Sequence, residues 1–216
     1  MGMHTSWVKT KIQNCTSLGP NPASVTVEGN SVEFTQKFRH LGCDIHSSGY
    51  SSPDILRRLG LASSTFSQLD RVWRNKRLKL RVFTTCVLPV LLYGSGTWTL
   101  RADDTRKLQA FSLRCQRRIL GVRWSDFITN ATISETTGIE DIRVTISRRC
   151  HSLFGTRHTY PCGPQAERPC PAWKRPRGRP RSTWVGQLEA DFESRAGQLW
   201  HSAAERIGWA ALLRPP

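Results

Sequence analysis

The sequence predicts an α+β fold, with a small antiparallel β segment at the N-terminus, a mainly helical bundle after it, and a partly disordered basic region at the C-terminus. Within residues 1–50, short alternating apolar runs flank turn-forming residues, which is typical of β-hairpins. Beyond this segment, apolar residues recur every three or four positions, which is typical of helices with one buried face. A hydrophobic fraction of 38% over 216 residues allows a modest core.

The N-terminal β segment begins with a predicted hairpin. Residues 25–27 and 32–34 alternate apolar and polar side chains on either side of Glu28-Gly29-Asn30, a turn-forming sequence. A third strand is predicted over residues 38–45, and it ends at the turn formed by residues 47–49.

The first predicted helix starts with Ser52 as its N-cap and Pro53 at its first helical position. Apolar residues then recur at steps of four and three, and we interpret this stripe as core packing. The stripe comprises Ile55, Leu59, Ala62, Phe66, Leu69 and Trp73. A second, buried helix is predicted over residues 80–92, kinked by Pro89.

A third helix is predicted to open at Asp103 and Asp104, because carboxylates are favourable at the positive end of the helix dipole. Its packing side comprises Leu108, Phe111, Cys115 and Ile119. The rest of its surface carries cations that can reach a phosphate backbone, although a merely solvated face has the same pattern. These cations are Arg106, Lys107, Arg114, Arg117 and Arg118, with Arg123 just beyond.

Residues 155–182 are rich in proline and lack periodicity, which predicts a linker rather than packed structure. Two short helices are predicted after it. In the first, Trp184, Leu188 and Phe192 share one face, and in the second Trp200, Ala204 and Ile207 do. We therefore divide the chain into a β segment (1–50), a helical region (51–154), a linker (155–182) and C-terminal helices (183–216).

The net charge of +16, from 32 Lys and Arg against 16 Asp and Glu, indicates a polyanionic partner. Folding does not need this excess, whereas RNA or DNA would neutralise it. The alternative is a ribosomal-type or solubilising basic surface. No membrane partner is expected, because the basic residues are spread along the chain and the longest apolar stretch, 82–92, is shorter than the roughly 20 residues of a membrane span.

A second basic motif lies in the linker, where prolines keep the backbone extended and guanidinium groups project outward. Its cations are Lys174, Arg175, Arg177, Arg179 and Arg181. Arginine pairs bidentately with phosphate, so the motif suits nucleic acid. A nuclear-localisation signal is the competing interpretation.

Seven scattered cysteines and the lack of an apolar leader over residues 1–13 predict reduced thiols and an intracellular protein, nuclear or cytoplasmic. No zinc site is expected, because the sequence has no Cys-x-x-Cys pair. The Cys and His residues considered for it are Cys150, His151, His158, Cys162 and Cys170. The Asp103-Asp104 pair is better explained by its helix start than by a metal. We expect no bound cofactor, no small-molecule substrate and no complete catalytic site.

Five segments stand out by their order along the chain. They are residues 6–13 (SWVKTKIQ), 38–45 (FRHLGCDI), 91–100 (LLYGSGTWTL), 115–124 (CQRRILGVRW) and 177–184 (RGRPRSTW). Together they resemble the C-terminal part of the endonuclease–reverse transcriptases of non-LTR (LINE-type) retrotransposons. His40 stands where that family usually has Tyr, and Gly96 where it usually has Glu.

The resemblance implies a role for each segment. Residues 1–50 would be the end of the palm and the primer grip, and residues 51–154 a thumb that holds template–primer duplex through its backbone. Lys9 or Lys11 would be the general acid that protonates the pyrophosphate leaving group. Phe38, Leu41 and Gly42 would form the primer grip, which holds the 3′ hydroxyl in line for attack.

The family's metal-binding aspartates are expected before residue 1, so Mg²⁺ would belong to the intact parent enzyme alone. This chain by itself is expected to be inactive as an RNA-directed DNA polymerase and at most to bind template–primer RNA or DNA. Two alternatives remain open. One is a host-adopted, non-enzymatic nucleic-acid-binding protein, and the other is a non-functional translated remnant.

Overall fold

The computed structural model describes residues 6–13, 24–69, 79–157, 182–205 and 208–209. It has the predicted α+β architecture, with β-hairpins at the N-terminus and helices after them. None of the helices in these ranges combines the length and the apolar character of a membrane span.

The strands pair as two antiparallel hairpins. The first joins β1 (Ser24–Val27) to β2 (Asn30–Glu33), and the second joins β3 (Lys37–His40) to β4 (Cys43–His46). The register of the first places Val25 opposite Val32, as its alternating pattern predicts. The hairpin predicted around Glu28-Gly29-Asn30 is thereby confirmed.

The prediction of one strand over residues 38–45 was wrong, because the chain reverses within it. Leu41 and Gly42 have φ of 47° and 80°, the left-handed pair of a tight two-residue hairpin turn. Gly42 adopts this conformation without steric cost, whereas Leu41 does so with some strain. Phe38 therefore lies opposite Ile45 across the hairpin rather than at the far end of the same strand.

Residues 6–13 join the two hairpins. Ile12 forms a parallel bridge with Phe34, and its N–H donates to the carbonyl of Glu33 at 3.1 Å. The side chain of Gln13 donates to the carbonyls of Gln36 (2.9 Å) and Ile45 (3.0 Å). One short segment thus ties β2 to the second hairpin.

Eight α-helices follow in the described part of the chain. They are α1 (Ser52–Gln68), α2 (Lys79–Val82), α3 (Leu88–Leu91), α4 (Ala102–Leu120), α5 (Asn130–Thr137), α6 (Ile142–Arg157), α7 (Trp184–Phe192) and α8 (Ala196–Ala204). Helix α6 continues past residue 154 to Arg157, into the segment predicted to be linker. Residues 158–181, which include the rest of that segment, lie outside the described residues.

Helix α1 starts one residue earlier than predicted. Its N-cap is Ser51, whose hydroxyl accepts a hydrogen bond from the Thr99 N–H at 3.0 Å instead of capping the helix. Ser52, the predicted N-cap, lies in the helix and donates to Asp104 of α4 at 2.7 Å. The apolar stripe is buried as predicted at Ile55, Ala62 and Phe66, and Trp73 lies outside the described residues.

The predicted second helix is continuous from 79 to 91 but irregular. A π-helical turn, Phe83–Val87, separates α2 from α3 and ends two residues before Pro89. Proline has no N–H and crowds the carbonyl four residues before it, so a widened turn relieves both problems. Phe83, Val87 and Leu91 are buried, whereas Thr84 and Cys86 are exposed.

One continuous core joins α1, the π-helical turn, α4, α6 and the two C-terminal helices. At its C-terminal end, Phe154 packs with the rings of Trp184, Trp200 and Trp209 at centroid distances of 5.6–6.2 Å. Leu188 is buried as predicted. In α8 the fully buried pair is Leu199 and Ala203, whereas Trp200 of the predicted face is partly buried against the core and Ala204 is exposed. Ile207 lies outside the described residues.

Candidate nucleic-acid interface

The cations of α4 lie on one exposed face of the helix. With 3.6 residues per turn, Arg106, Lys107, Arg114, Arg117 and Arg118 fall within an arc of roughly 120° and span roughly 18 Å along the axis. The opposite side buries Leu108, Cys115 and Ile119 in the core. We call the five cations the α4 basic face.

Members of the α4 basic face differ in how they are held. Arg106 pairs with Asp103, and Arg117 donates to Asn130 Oδ1 at 2.6 Å. Lys107 and Arg114 are exposed and form no ion pair with other described residues. Their charges are therefore available to a ligand without breaking a contact within that part of the protein.

The two aspartates predicted at the start of α4 form different contacts. Asp103 is exposed and forms an ion pair with Arg106, whereas Asp104 is buried and accepts a hydrogen bond from the Ser52 hydroxyl. Since the two carboxylates point into different surroundings, they do not form a paired metal site. Asp104 joins α4 to the start of α1.

The turn that resembles the primer grip is fastened to the helices. Tyr93 Oη donates to the Leu41 carbonyl at 2.8 Å, and Arg57 and Arg58 both donate to the Gly42 carbonyl. The guanidinium of Arg58 also lies 4.3 Å from the centre of the Tyr93 ring. These contacts leave the Leu41 side chain 79% exposed at the tip.

Gly94 makes this junction possible. Its φ is 73°, and a Cβ at this position would lie 2.5 Å from Cys43 Sγ. The segment 91–100 and the segment 38–45, which were separate motifs in the sequence, therefore pack directly against each other.

The carboxylates of Asp54 and Asp44 also stabilise the contact between the second hairpin and the helices. Asp54 Oδ1 accepts the Asp44 N–H at 3.0 Å, and its Oδ2 accepts Trp98 Nε1 at 3.1 Å. The fully buried Asp44 carboxylate lies 2.7 Å from Lys37 Nζ and 2.8 Å from Arg39 Nε. Burial raises the pKa of Asp44, but hydrogen bonds from Arg39 and Lys37 and the charge of Arg57 outweigh it and lower the pKa to about 2.

Phe38, the third of the residues that resemble a primer grip, is half-buried and stacks on His40 with 6.3 Å between ring centres. The candidate general acids are both exposed. Lys11 Nζ pairs with Glu33 at 2.7 Å, and this hydrogen bond and charge lower the pKa of Glu33. Lys9 lies in the turn that begins at Ser6.

Of the Cys and His residues considered for zinc, Cys150 and His151 lie within the described residues, and their side chains have different surroundings. Cys150 lies in the core, where burial raises its pKa to about 11. His151 pairs with Asp191 at 3.1 Å, and no group of three potential metal ligands occurs within the described ranges. His158, Cys162 and Cys170 lie outside them, as do the linker cations Lys174, Arg175, Arg177, Arg179 and Arg181.

A cavity of about 360 Å³ opens between α4, α6 and α7, with Ser147 and Asp191 in its wall. His151 Nε2 approaches both Ser147 Oγ (3.4 Å) and Asp191 Oδ2 (3.1 Å), and Ser147 also donates to Asp191. A catalytic triad needs the two ring nitrogens to serve different partners. Because one nitrogen meets both groups here, the cluster is a packing contact between α6 and α7. Burial lowers the pKa of His151, although the hydrogen bond and the charge of Asp191 act to raise it.

Comparison with known proteins gives a distant relative. A putative uncharacterized transposon-derived protein of Caenorhabditis elegans is 24% identical over 132 residues, covering 56% of this chain and 46% of that protein. The chain thus spans about half the length of this relative. No family model matches the chain, and no solved structure matches it. The similarity fits a transposon-related origin.

Sequence reasoning missed the residues that hold the turn and one exposed aromatic. Arg58 and Tyr93 contact the turn across gaps of 16 and 52 residues, so no local pattern marks them. Phe127 follows α4 and is 84% exposed. The sequence signal for it is its position in a short loop after the arginines of α4, outside any periodic apolar stripe.

Proposed function

We propose that the chain is the C-terminal part of a non-LTR retrotransposon reverse transcriptase, and that it binds the sugar–phosphate backbone of template–primer RNA or DNA. In this proposal residues 1–50 are the end of the palm with the primer grip, and residues 51–154 are the thumb. Lys174, Arg175, Arg177, Arg179 and Arg181 would add a second, extended phosphate contact.

The observation that carries the proposal is the alignment of five cations on one face of α4, opposite its buried side. The roughly 18 Å of the face corresponds to the rise of about five successive nucleotides of one strand. A single acidic neighbour on the same helix face, Asp103, lies at its N-terminal end. Such a surface suits a phosphate row and reads no sequence.

The junction between the turn and the helices supports the same proposal. In a polymerase, the primer grip must keep a fixed position relative to the thumb for the 3′ end to stay in line. Here Arg58 and Tyr93 hold the Leu41–Gly42 turn directly on α1 and the end of α3. The order of the five sequence segments and the transposon-derived relative support the origin.

The test uses two double variants with equal charge change. Lys107→Gln with Arg114→Gln removes the two cations of the α4 basic face that form no ion pair with another described residue. Arg143→Gln with Arg195→Gln, the control, removes two exposed cations elsewhere. Affinity for a labelled duplex is measured at several salt concentrations.

The α4 variant is expected to bind every sequence more weakly and to flatten the slope of log affinity against log salt by roughly 0.7–0.9 per cation removed. The control variant keeps a slope close to that of the unmodified chain. Equal effects of the two variants would mean that only the overall charge matters, and would reject α4 as the contact surface.

A further inference from the structure

Phe127 combines high exposure with a constrained backbone. Its side chain is 84% exposed, and its φ of 50° lies in the left-handed region, which bulky residues rarely adopt. Burial does not explain an apolar ring at this position. A glycine or asparagine would adopt the same backbone conformation more easily.

The loop that carries Phe127 is fixed at both ends. Gly121 ends α4 in the left-handed conformation, and Thr129 caps α5 by accepting the Thr132 N–H at 3.3 Å. Within the loop, Asp126 Oδ2 accepts the Arg123 N–H at 2.7 Å. The ring is therefore presented from a short, well-bonded turn.

One cation of the proposed interface contacts this loop, and another lies within it. Arg117 of the α4 basic face reaches across it and donates to Ile128 O (3.4 Å) and Asn130 Oδ1 (2.6 Å), the residues that follow Phe127. Arg123, which precedes Phe127 in the sequence, is exposed. The phenyl group thus lies where the row of phosphate-binding cations ends.

We infer that Phe127 is a stacking platform for an unpaired nucleobase, at the point where a bound duplex gives way to single strand. This inference rests on the proposed function and names the part of the nucleic acid that the loop takes. Aromatic side chains stack on any base with an exposed face, and neighbouring arginines hold the backbone. Bases within a duplex are already stacked on each other, so the ring selects an unpaired base.

The experiment compares two labelled probes, a duplex with a single-stranded overhang and the same duplex with blunt ends. Phe127→Ala is expected to weaken binding of the overhang probe by about fivefold to 150-fold, the range for loss of one stacked base, and to leave the blunt duplex unchanged. The slope against log salt stays that of the unmodified chain, since no cation is removed. Phe127→Tyr keeps the affinity because it keeps the ring.

Two further variants separate stacking from other roles. Phe127→Leu keeps an apolar side chain and is expected to bind the overhang as weakly as the Ala variant. Phe127→Gly relieves the left-handed strain, so it is expected to lose overhang binding while its thermal midpoint does not fall. The affinity for the overhang probe and the thermal midpoint of unfolding then change independently of each other.

Full affinity of the Leu variant would indicate a general apolar contact, and equal losses on both probes would indicate a structural role. Either result, or an unmodified chain that binds the two probes equally, overturns the inference. Failure of the proposed function is distinct: in that case the unmodified chain binds neither probe, and loss of Lys107 and Arg114 changes nothing.

Discussion

The turn at Leu41 and Gly42 shows how single residues position a surface. The Leu41 carbonyl accepts a hydrogen bond from the Tyr93 hydroxyl, and the Gly42 carbonyl accepts hydrogen bonds from Arg57 and Arg58. The negative charge of the buried Asp44 is balanced by Lys37 and Arg39. The Asp44 carboxylate is fully buried whereas Lys37 and Arg39 are largely exposed, so removing a cation leaves the buried charge of Asp44 less well compensated. The hairpin is thus fixed against α1 by contacts that tolerate little change.

Asp44 predicts an acid-sensitive junction. Because its pKa in the folded protein is about 2, below the ordinary 3.8, the unfolded chain binds the proton more readily. The stabilisation is therefore complete above about pH 4 and is lost as the pH falls towards about 2. Urea unfolding of the protein and of Asp44→Asn across this range should show a steeper loss of stability in the unmodified protein. Identical pH profiles would contradict the geometry at Asp44.

At the same scale, the sequence identified Phe38, Leu41 and Gly42 as a group but not their conformation. Leucine is not a usual turn residue, so residues 38–45 were interpreted as one strand. The left-handed Leu41 is maintained by donors from α1 and from Tyr93, which are distant in sequence. Tertiary contacts of this kind outweigh local preference.

Among the elements, α1 and α4 could be predicted closely, because apolar residues at steps of three and four give a strong periodic signal. The π-helical turn before Pro89 could not, since proline predicts a break without specifying its form. The alignment of the α4 cations followed from the same period that located its buried face. In α8, two adjacent apolar residues, Leu199 and Trp200, made the buried face ambiguous by one position.

Gly155 of α6 gives a prediction at the level of helix packing. A Cβ at this position would lie 2.2 Å from Trp209 Nε1, so Gly155→Ala should force the indole away and destabilise the protein by about 1–3 kcal/mol. Gly60 of α1 is the matched control, since nothing lies within 4 Å of its Cβ position. Gly60→Ala should stabilise the protein by about 0.5–1 kcal/mol through helix propensity. Equal shifts in the urea midpoint would contradict the close approach of Trp209 to α6.

In the whole molecule, the second hairpin meets the helices at the Leu41–Gly42 turn, and the α4 basic face lies on a separate element of the helical region. The net charge of +16 opposes a compact state, and the fold gathers part of it on one face of α4, where Lys107 and Arg114 form no ion pair with another described residue. Composition predicts a polyanionic partner, and the residues proposed for the contact follow from the helix geometry.

The salt dependence of duplex binding by the unmodified chain tests this account most directly. If the five cations of α4 each neutralise one phosphate, log affinity should fall linearly with log salt, with a slope of at least roughly 3.5–4.5. The slope should be the same for duplexes of unrelated sequence, because backbone contacts carry no sequence information. A flat salt dependence, or binding confined to one sequence, would contradict the proposal that this chain is a backbone-binding part of a reverse transcriptase.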